Sequence, residues 1–384
     1  MIQKFKTLEE YNNYTDSGTT LHSGTLYYVE DDGSMHFYTN NIDGEAKVYN
    51  GGDSESLMAV VKQVIEGNTT KIIIPNGVTE IRRYCFYNQY ELKEVVVPDS
   101  VQYIGNSAFE NCSQLTTINI PNGVTSLYNG VFKNCRSLSN ITMPNVTHIT
   151  NDTFEGCTSL PTENNIRYID TLLVGVADKT LTTYTIKEGT KWIGPSAFKD
   201  CTNLQNIIIP DSVTKIDSGA FVGCTSLQSI TIPSSVTQFD GSAMFKDCTS
   251  LTSVTFQNNI TKIGVYMFEN CTSLTSITIP NTVTTIDKEA FKGCSGLQSI
   301  TIPSSVTSLS DNVFANCSSL ASIIALRTTA PSIYYNTFKD IKTKGRLTVP
   351  KGSSSSYDKW MKDPYTWDTE YYLGYYNWTK VEAQ

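Results

Sequence analysis

Residues 274–294 read Leu274-Thr275-Ser276-Ile277-Thr278-Ile279-Pro280-Asn281-Thr282-Val283-Thr284-Thr285-Ile286-Asp287-Lys288-Glu289-Ala290-Phe291-Lys292-Gly293-Cys294. The opening L-x-x-I-x-I alternates, which sets Ile277 and Ile279 on one face of a short strand and Thr278 on the other. Pro280 has no N–H to continue a ladder and ends the strand. A second extended piece, Val283 to Ile286, turns inward, and Ala290-Phe291 is expected to lead a short helical turn on the far side. Gly293, before the cysteine, tolerates the left-handed backbone that closes such a turn.

The stretch recurs along the chain. Phe86, Phe109, Phe132, Phe154, Phe198, Phe221, Phe245, Phe268, Phe291, Phe314 and Phe338 follow one another at steps of 23, 23, 22, 44, 23, 24, 23, 23, 23 and 24 residues. Pro75, Pro98, Pro121 and Pro144 keep the 23-residue step, as do the pairs Pro210 and Pro233, and Pro280 and Pro303. A unit of this length cannot bury its own Leu, Ile, Val and Phe, whereas stacked units share one core. The expected fold is a β-rich solenoid of leucine-rich repeats, with a parallel sheet on one face and short helical turns on the other. Three units break the frame. Pro144-Asn145-Val146 is one residue short, Gly241-Ser242-Ala243-Met244-Phe245 carries one extra, and residues 160–181 lack both Phe and Cys. Alternation of Ile166 and Tyr168, then Leu172 and Val174, reads there as a hairpin-like insertion.

Composition removes several classes of function. A net charge of −8 without a basic run argues against nucleic-acid binding, which relies on clustered Lys and Arg. No apolar stretch approaches the roughly 18–20 residues needed to span a membrane. His22, His36 and His148 lie scattered without metal-ligand spacing, and no P-loop, G-x-S-x-G, H-E-x-x-H or C-x-x-C occurs. No catalytic, cofactor or metal site is therefore expected. Nine of the ten cysteines (112, 135, 157, 201, 224, 248, 271, 294 and 317) share one repeat position, while Cys85 stands where other units have Ala108 or Ala220. One cysteine per turn gives a line of thiols rather than converging ligands. A buried reduced ladder is the reading, with disulfides between adjacent turns as the alternative.

The pattern [NDG]-C-x-x-L-x-x-I-x-I-P-x-x-V-x-x-I-x-x-x-A-F over residues 70–350 resembles the BspA-like leucine-rich-repeat family. That resemblance implies a bacterial or protozoan cell-surface protein that binds host proteins or other cells. Leu347-Thr348-Val349-Pro350-Lys351-Gly352-Ser353, with Tyr357 and Trp360, resembles the family's closing unit. Members normally carry a secretion or lipoprotein signal, and the stretch from Met1 to Glu10 has no apolar run of that kind. A surface location then calls for a trimmed leader, and without one the expected address is a virion.

The ends differ from the repeats. Residues 51–69 are expected to hold a capping helix, since Leu57, Val60, Val61, Val64 and Ile65 share one helical face. Residues 1–50 read as a small α+β module. Thr7 and Glu10 form a capping box for a helix through Tyr14, and a hairpin follows with Asp32-Gly33 in its turn. This module resembles short N-terminal modules of structural proteins from phages of gut bacteria, which implies docking onto subunits of a larger assembly.

Two surfaces are candidates for contact. Residues 351–384 hold Trp360, Trp367, Tyr371, Tyr375 and Trp378, either a platform for a sugar or protein or a cap over the last repeat. On the strands, the outward position is Asn119, Thr142, Thr185, Thr231, Thr255, Thr278 and Thr301, with Val96 and Ile208 as exceptions. This uncharged strip suits a glycan or an extended partner, although Thr is also an ordinary solvent-facing strand residue. The functional expectation is a non-catalytic recognition or adhesion protein offering its repeat surface to a protein or surface glycan. The alternative is a phage head or tail component anchored by residues 1–50.

Overall fold

A computed structural model describes residues 70–74, 76–257, 259–362 and 372–384, together with the backbone of four earlier strands. Those strands, Ile2–Phe5, Thr25–Val29, Met35–Tyr38 and Lys47–Tyr49, form one sheet in chain order. The first pair is parallel and the other two are antiparallel. The helix expected from Thr7, the Asp32-Gly33 turn and the capping helix at 51–69 lie outside the described residues. The chain divides into two compact units, Met1–Leu160 and Pro161–Gln384.

Within each unit the repeats build a parallel β-solenoid. In the first, the L-x-x-I strands Lys71–Ile73, Glu94–Val96, Thr117–Asn119 and Asn140–Thr142 form one parallel ladder. The V-x-x-I pieces pair as well, for example Glu80–Ile81 with Tyr103–Ile104. In the second unit, Ser299–Ile302, Ser322–Ala325, Arg346–Val349 and Thr379–Glu382 form one ladder. Lys262–Ile263, Thr285–Ile286, Ser308–Leu309 and Ser332–Ile333 form another. Proline's role extends beyond ending a strand. Its carbonyl accepts from the Val amide three residues on, as at Val283 N to Pro280 O (3.0 Å), and this turn aims the second strand inward.

The unit without Phe or Cys is an antiparallel hairpin of Ile166–Ile169 and Leu172–Val176. Its second strand also pairs in parallel with Trp192–Ile193, so the hairpin joins the V-x-x-I ladder of its own unit. The extra residue near Gly241 falls between Phe239, which is in register with Ile216, and Phe245.

The far side differs from expectation. Among the described residues helix is confined to three four-residue pieces within 354–376, and none occurs at an Ala-Phe segment. Each such segment instead holds two left-handed residues four apart: Ser107 and Asn111, Gly130 and Asn134, Ala243 and Asp247, Tyr266 and Asn270, Glu289 and Gly293, Asn312 and Asn316. All nine residues preceding the ladder cysteines have positive φ, as their Asn, Asp and Gly identities imply. The reason lies in the hydrogen bonds. Alternate amides leave their own turn for the next one: Tyr266 N to Lys288 O (3.0 Å), Phe268 N to Ala290 O (2.8 Å) and Asn270 N to Lys292 O (2.8 Å). The amides between them fold back within the turn, as Cys271 N does to Phe268 O (3.1 Å). An α-helix would spend every amide on its own segment and leave neighbouring turns unjoined.

This backbone sets the phenylalanines face to face. Ring centroids are 5.2–5.7 Å apart in the first unit's column and 5.3–6.0 Å in the second's, with neighbouring planes within 18° of each other. The second column is closed by tilted rings, Tyr184 against Phe198 and Trp360 against Phe338. Phe268→Ala is expected to lower unfolding free energy by about 3–5 kcal/mol, because the fixed rungs on either side prevent collapse into the cavity. Ala243, held at φ 49°, gives the opposite sign. Ala243→Gly should raise stability by about 0.5–1 kcal/mol by relieving a Cβ that L-residues tolerate poorly there. Chemical denaturation of the two variants measures both.

Candidate binding surface

The cysteines are scaffold. All ten are reduced, the nine ladder thiols are buried, and Cys85 is half-buried. Eight thiols donate to the phenylalanine carbonyl of the preceding turn, as Cys294 Sγ does to Phe268 O (3.0 Å) and Cys317 Sγ to Phe291 O (3.1 Å). Burial pushes Cys112, Cys248 and Cys294 up to about 12 and Cys201 to about 11, and raises Cys135, Cys224, Cys271 and Cys317 well above the ordinary thiol value. Nucleophilic chemistry needs the thiolate, which these sites suppress. Among the described residues no three His, Cys, Asp or Glu side chains come together as a metal site, and no helix is long and apolar enough to cross a membrane.

The aromatic tail separates into two kinds of residue. Trp360 is fully buried, and its Nε1 donates to Pro331 O at 3.0 Å. Trp378 is also buried, with Nε1 donating to Lys342 O at 2.7 Å. Neither ring can touch a partner, so both leave the candidate contact set. A large apolar ring is worth most when it covers an exposed end of the Phe column, and its single N–H finds a carbonyl there. Tyr375 is 51% exposed and packs edge-on against the buried Tyr376. Trp367 and Tyr371 lie outside the described residues. Tyr334 and Tyr335 are exposed as well, and nothing in the repeat pattern singles them out.

The threonines of the strand face stand where the alternation put them. Thr231, Thr255, Thr278 and Thr301 are exposed, between buried Ile or Val neighbours and, after Thr255, the half-buried Phe256. Thr231 pairs in register with Thr255, and Ser229 with Ser253. Ser299 pairs with Ser322, and Thr301 with Ile324. Residues 277–279 keep the same alternation without being in a ladder. The serine two positions before each threonine (229, 253, 276 and 299) therefore makes a second outward column, legible as a repeated S-x-T.

These eight hydroxyls differ from others in the same repeats. At the turns, hydroxyls reach back one repeat to a backbone carbonyl: Thr252 to Gln228 (3.0 Å), Thr272 to Thr249 (3.2 Å), Thr284 to Thr261 (3.2 Å) and Thr307 to Thr284 (3.2 Å). Those of the S-x-T array make no side-chain hydrogen bond among the described residues. Charge is absent from this face as well, since 228–231, 252–255, 275–278 and 298–301 contain no Asp, Glu, Lys or Arg. The nearby charges of these repeats pair elsewhere, where Glu269 lies between Lys246 (2.5 Å) and Lys292 (3.6 Å). At the same repeat position the array is bounded by Ile208 (58% exposed) and Ile324 (37%). In the first unit the equivalent residues are Ile73, Val96, Asn119 and Thr142, and Lys71 bonds to Glu94 beside them at 2.7 Å.

Fold and surface together define a leucine-rich-repeat solenoid whose outer strand positions link neighbouring turns at Thr142 and Asn119 (Oγ1 to Oδ1, 2.9 Å) but not at the four threonines of the second unit. The chain belongs to the family described as the BspA type leucine-rich repeat region, whose model matches residues 65–171, 176–297 and 241–359. Among solved structures, a leucine-rich repeat protein from Bacteroides ovatus is 20% identical over 94% of this chain and 99% of its own, with a TM-score of 0.42. One from Eubacterium ventriosum is 22% identical over 81% and 91%, with a TM-score of 0.43. A leucine-rich cell surface protein from Faecalibacterium prausnitzii is 23% identical over 87% and 90%, with a TM-score of 0.35. No curated protein matches the chain.

The raised thiols make stability depend on alkaline pH. In the unfolded chain a thiol ionises near about 8.5, whereas the folded state keeps its proton well above that. Their contribution is complete below about pH 8.5 and is lost as pH rises towards the folded values, because the unfolded state then binds fewer protons. Denaturant midpoints are expected to fall steadily between about pH 9 and pH 11, and to fall less in Cys294→Ala. Native protein treated with iodoacetamide should carry label at Cys85 and none at the nine ladder positions.

Proposed function

We propose that this protein is a non-catalytic recognition or adhesion module whose contact surface is the outer strand face around Thr231, Thr255, Thr278 and Thr301. The observation that carries the reading is an uncharged run of Ser and Thr hydroxyls at the same outward positions in four consecutive turns, exposed at all but the half-buried Ser299 and without a side-chain hydrogen bond among the described residues. Such a run is available to a partner, either a protein or a surface glycan. Membership of the BspA-type family supports the same reading. Tyr375 is a second, smaller point of contact. The idea of a phage component anchored by residues 1–50 gains no support from the four strands described there and is not carried further.

Fluorescently labelled protein titrated onto cultured epithelial cells tests the reading. Saturable binding is expected, reduced at least tenfold by Thr255→Lys combined with Thr278→Lys, since a lysine on a desolvated neutral contact is costly. Lys199→Glu, an exposed change on the turn side, should leave binding intact. Equal loss in both variants, or no saturable binding at all, would defeat the proposal.

A further inference from the structure

We infer that the partner of the S-x-T array is an uncharged linear polysaccharide lying along the repeat axis, with about one sugar residue per turn. This rests on the reading of that face as the contact surface and specifies what it contacts.

The chemistry of the face narrows the partner first. Each of the eight hydroxyls offers one donor and two acceptors, with no charged group among them. Sulfated, phosphorylated or acidic polymers gain their affinity from charge-assisted bonds to Arg and Lys, and the array supplies neither. A polymer of neutral hydroxyls matches it group for group. Ile208 and Ile324, exposed at the two ends of the same column, give apolar surface for the C–H faces of sugar rings.

Geometry then favours a sugar chain over an extended peptide. Register pairing at Thr231–Thr255 and Ser229–Ser253 aligns the first two turns of the columns along the axis, and residues 275–278 keep the alternation without pairing in a ladder. Their repeat is the spacing of neighbouring strands, about 4.8 Å, and an extended peptide advances about 3.3 Å per residue, or about 6.6 Å between side chains on one face. A peptide along the axis therefore drifts out of phase within two turns. A pyranose residue in an extended chain is close in length to one turn and successive residues alternate faces, so the same hydroxyls return to the columns every second turn. The threonines are also pre-set for this, because branching at Cβ restricts χ1 and little rotamer freedom is left to lose on binding.

Isothermal titration calorimetry with cello-oligosaccharides and manno-oligosaccharides of increasing length tests the inference, with oligogalacturonides as the charged control. Affinity in at least one neutral series should rise with length until the chain spans the four turns, then level off, and the acidic series should bind more weakly. Thr255→Val combined with Thr278→Val keeps the shape and strand preference while deleting two hydroxyls, and should weaken binding about tenfold. Unchanged thermal melting of this variant shows that the fold is intact. No binding of any neutral series, binding independent of length, or an unaffected Val variant each overturns the inference. If the lysine variants still abolish cell binding while no neutral oligosaccharide binds, the recognition surface stands and its partner is a protein instead. If neither cells nor oligosaccharides bind, both readings fall.

Discussion

The backbone hydrogen bond from one turn to the next is the constraint on which everything else depends. A 23-residue unit has no partner for most of its own amides, so each turn takes its neighbour as its hydrogen-bonding surface. Strand ladders meet this need on two sides. On the third side the chain must bend sharply and still present amides along the axis. The pair of left-handed residues four apart does this, sending alternate amides outward and folding the others back. Identical phase in every turn follows, because a residue gained or lost without a bulge would move every bond beyond it out of register. The stacked phenylalanines and buried thiols are consequences of that phase rather than its cause.

Side-chain columns inherit the order and finish the task. A thiol donating to the phenylalanine carbonyl of the turn before, or a threonine hydroxyl donating one repeat back, satisfies acceptors at places the ladders do not reach. Asparagines do likewise with one another, Asn134 to Asn111 at 2.9 Å and Asn111 to Asn88 at 2.7 Å. At Gly293 a Cβ would come within 2.3 Å of the Asn270 Oδ1 oxygen, so glycine there leaves that side chain undisturbed. Much of the Ser, Thr and Asn content is thus internal carpentry, and surface chemistry has to be sought in the hydroxyls left over.

This explains what could be read from the sequence. Burial on one side of a strand writes a period of two and stacking writes a period of 23, so the solenoid, its Phe column and its thiol ladder are all legible. The left-handed residue before each cysteine is legible too, because Asn, Asp and Gly advertise it. The second left-handed position is not. It is filled by Gly130 and Asn312 but also by Ser107, Ala243, Tyr266 and Glu289, so no residue type marks it, and Ala-Phe-Lys locally resembles a helix. The two readings of the tail stayed open for another reason. Aromatic residues that cap a core and aromatic residues that bind a ligand are the same residues, and only burial separates Trp360 from Tyr375.

The outer strand position is the place in each turn where the scaffold asks least of a side chain. Ile73, Val96 and Asn119 occupy it in one unit, and Ile208, Thr231 and Ile324 in the other, with the same backbone beneath. Preference for β-branched residues would be satisfied by Val or Ile at every turn, and solubility by Lys or Glu. Neither explains four consecutive threonines, each preceded two residues earlier by a serine. Serine is a mediocre strand residue, so its column runs against local propensity while contributing no bond to the fold. Uniformity that the scaffold does not require, at positions it leaves open, is the feature on which the proposed contact surface rests.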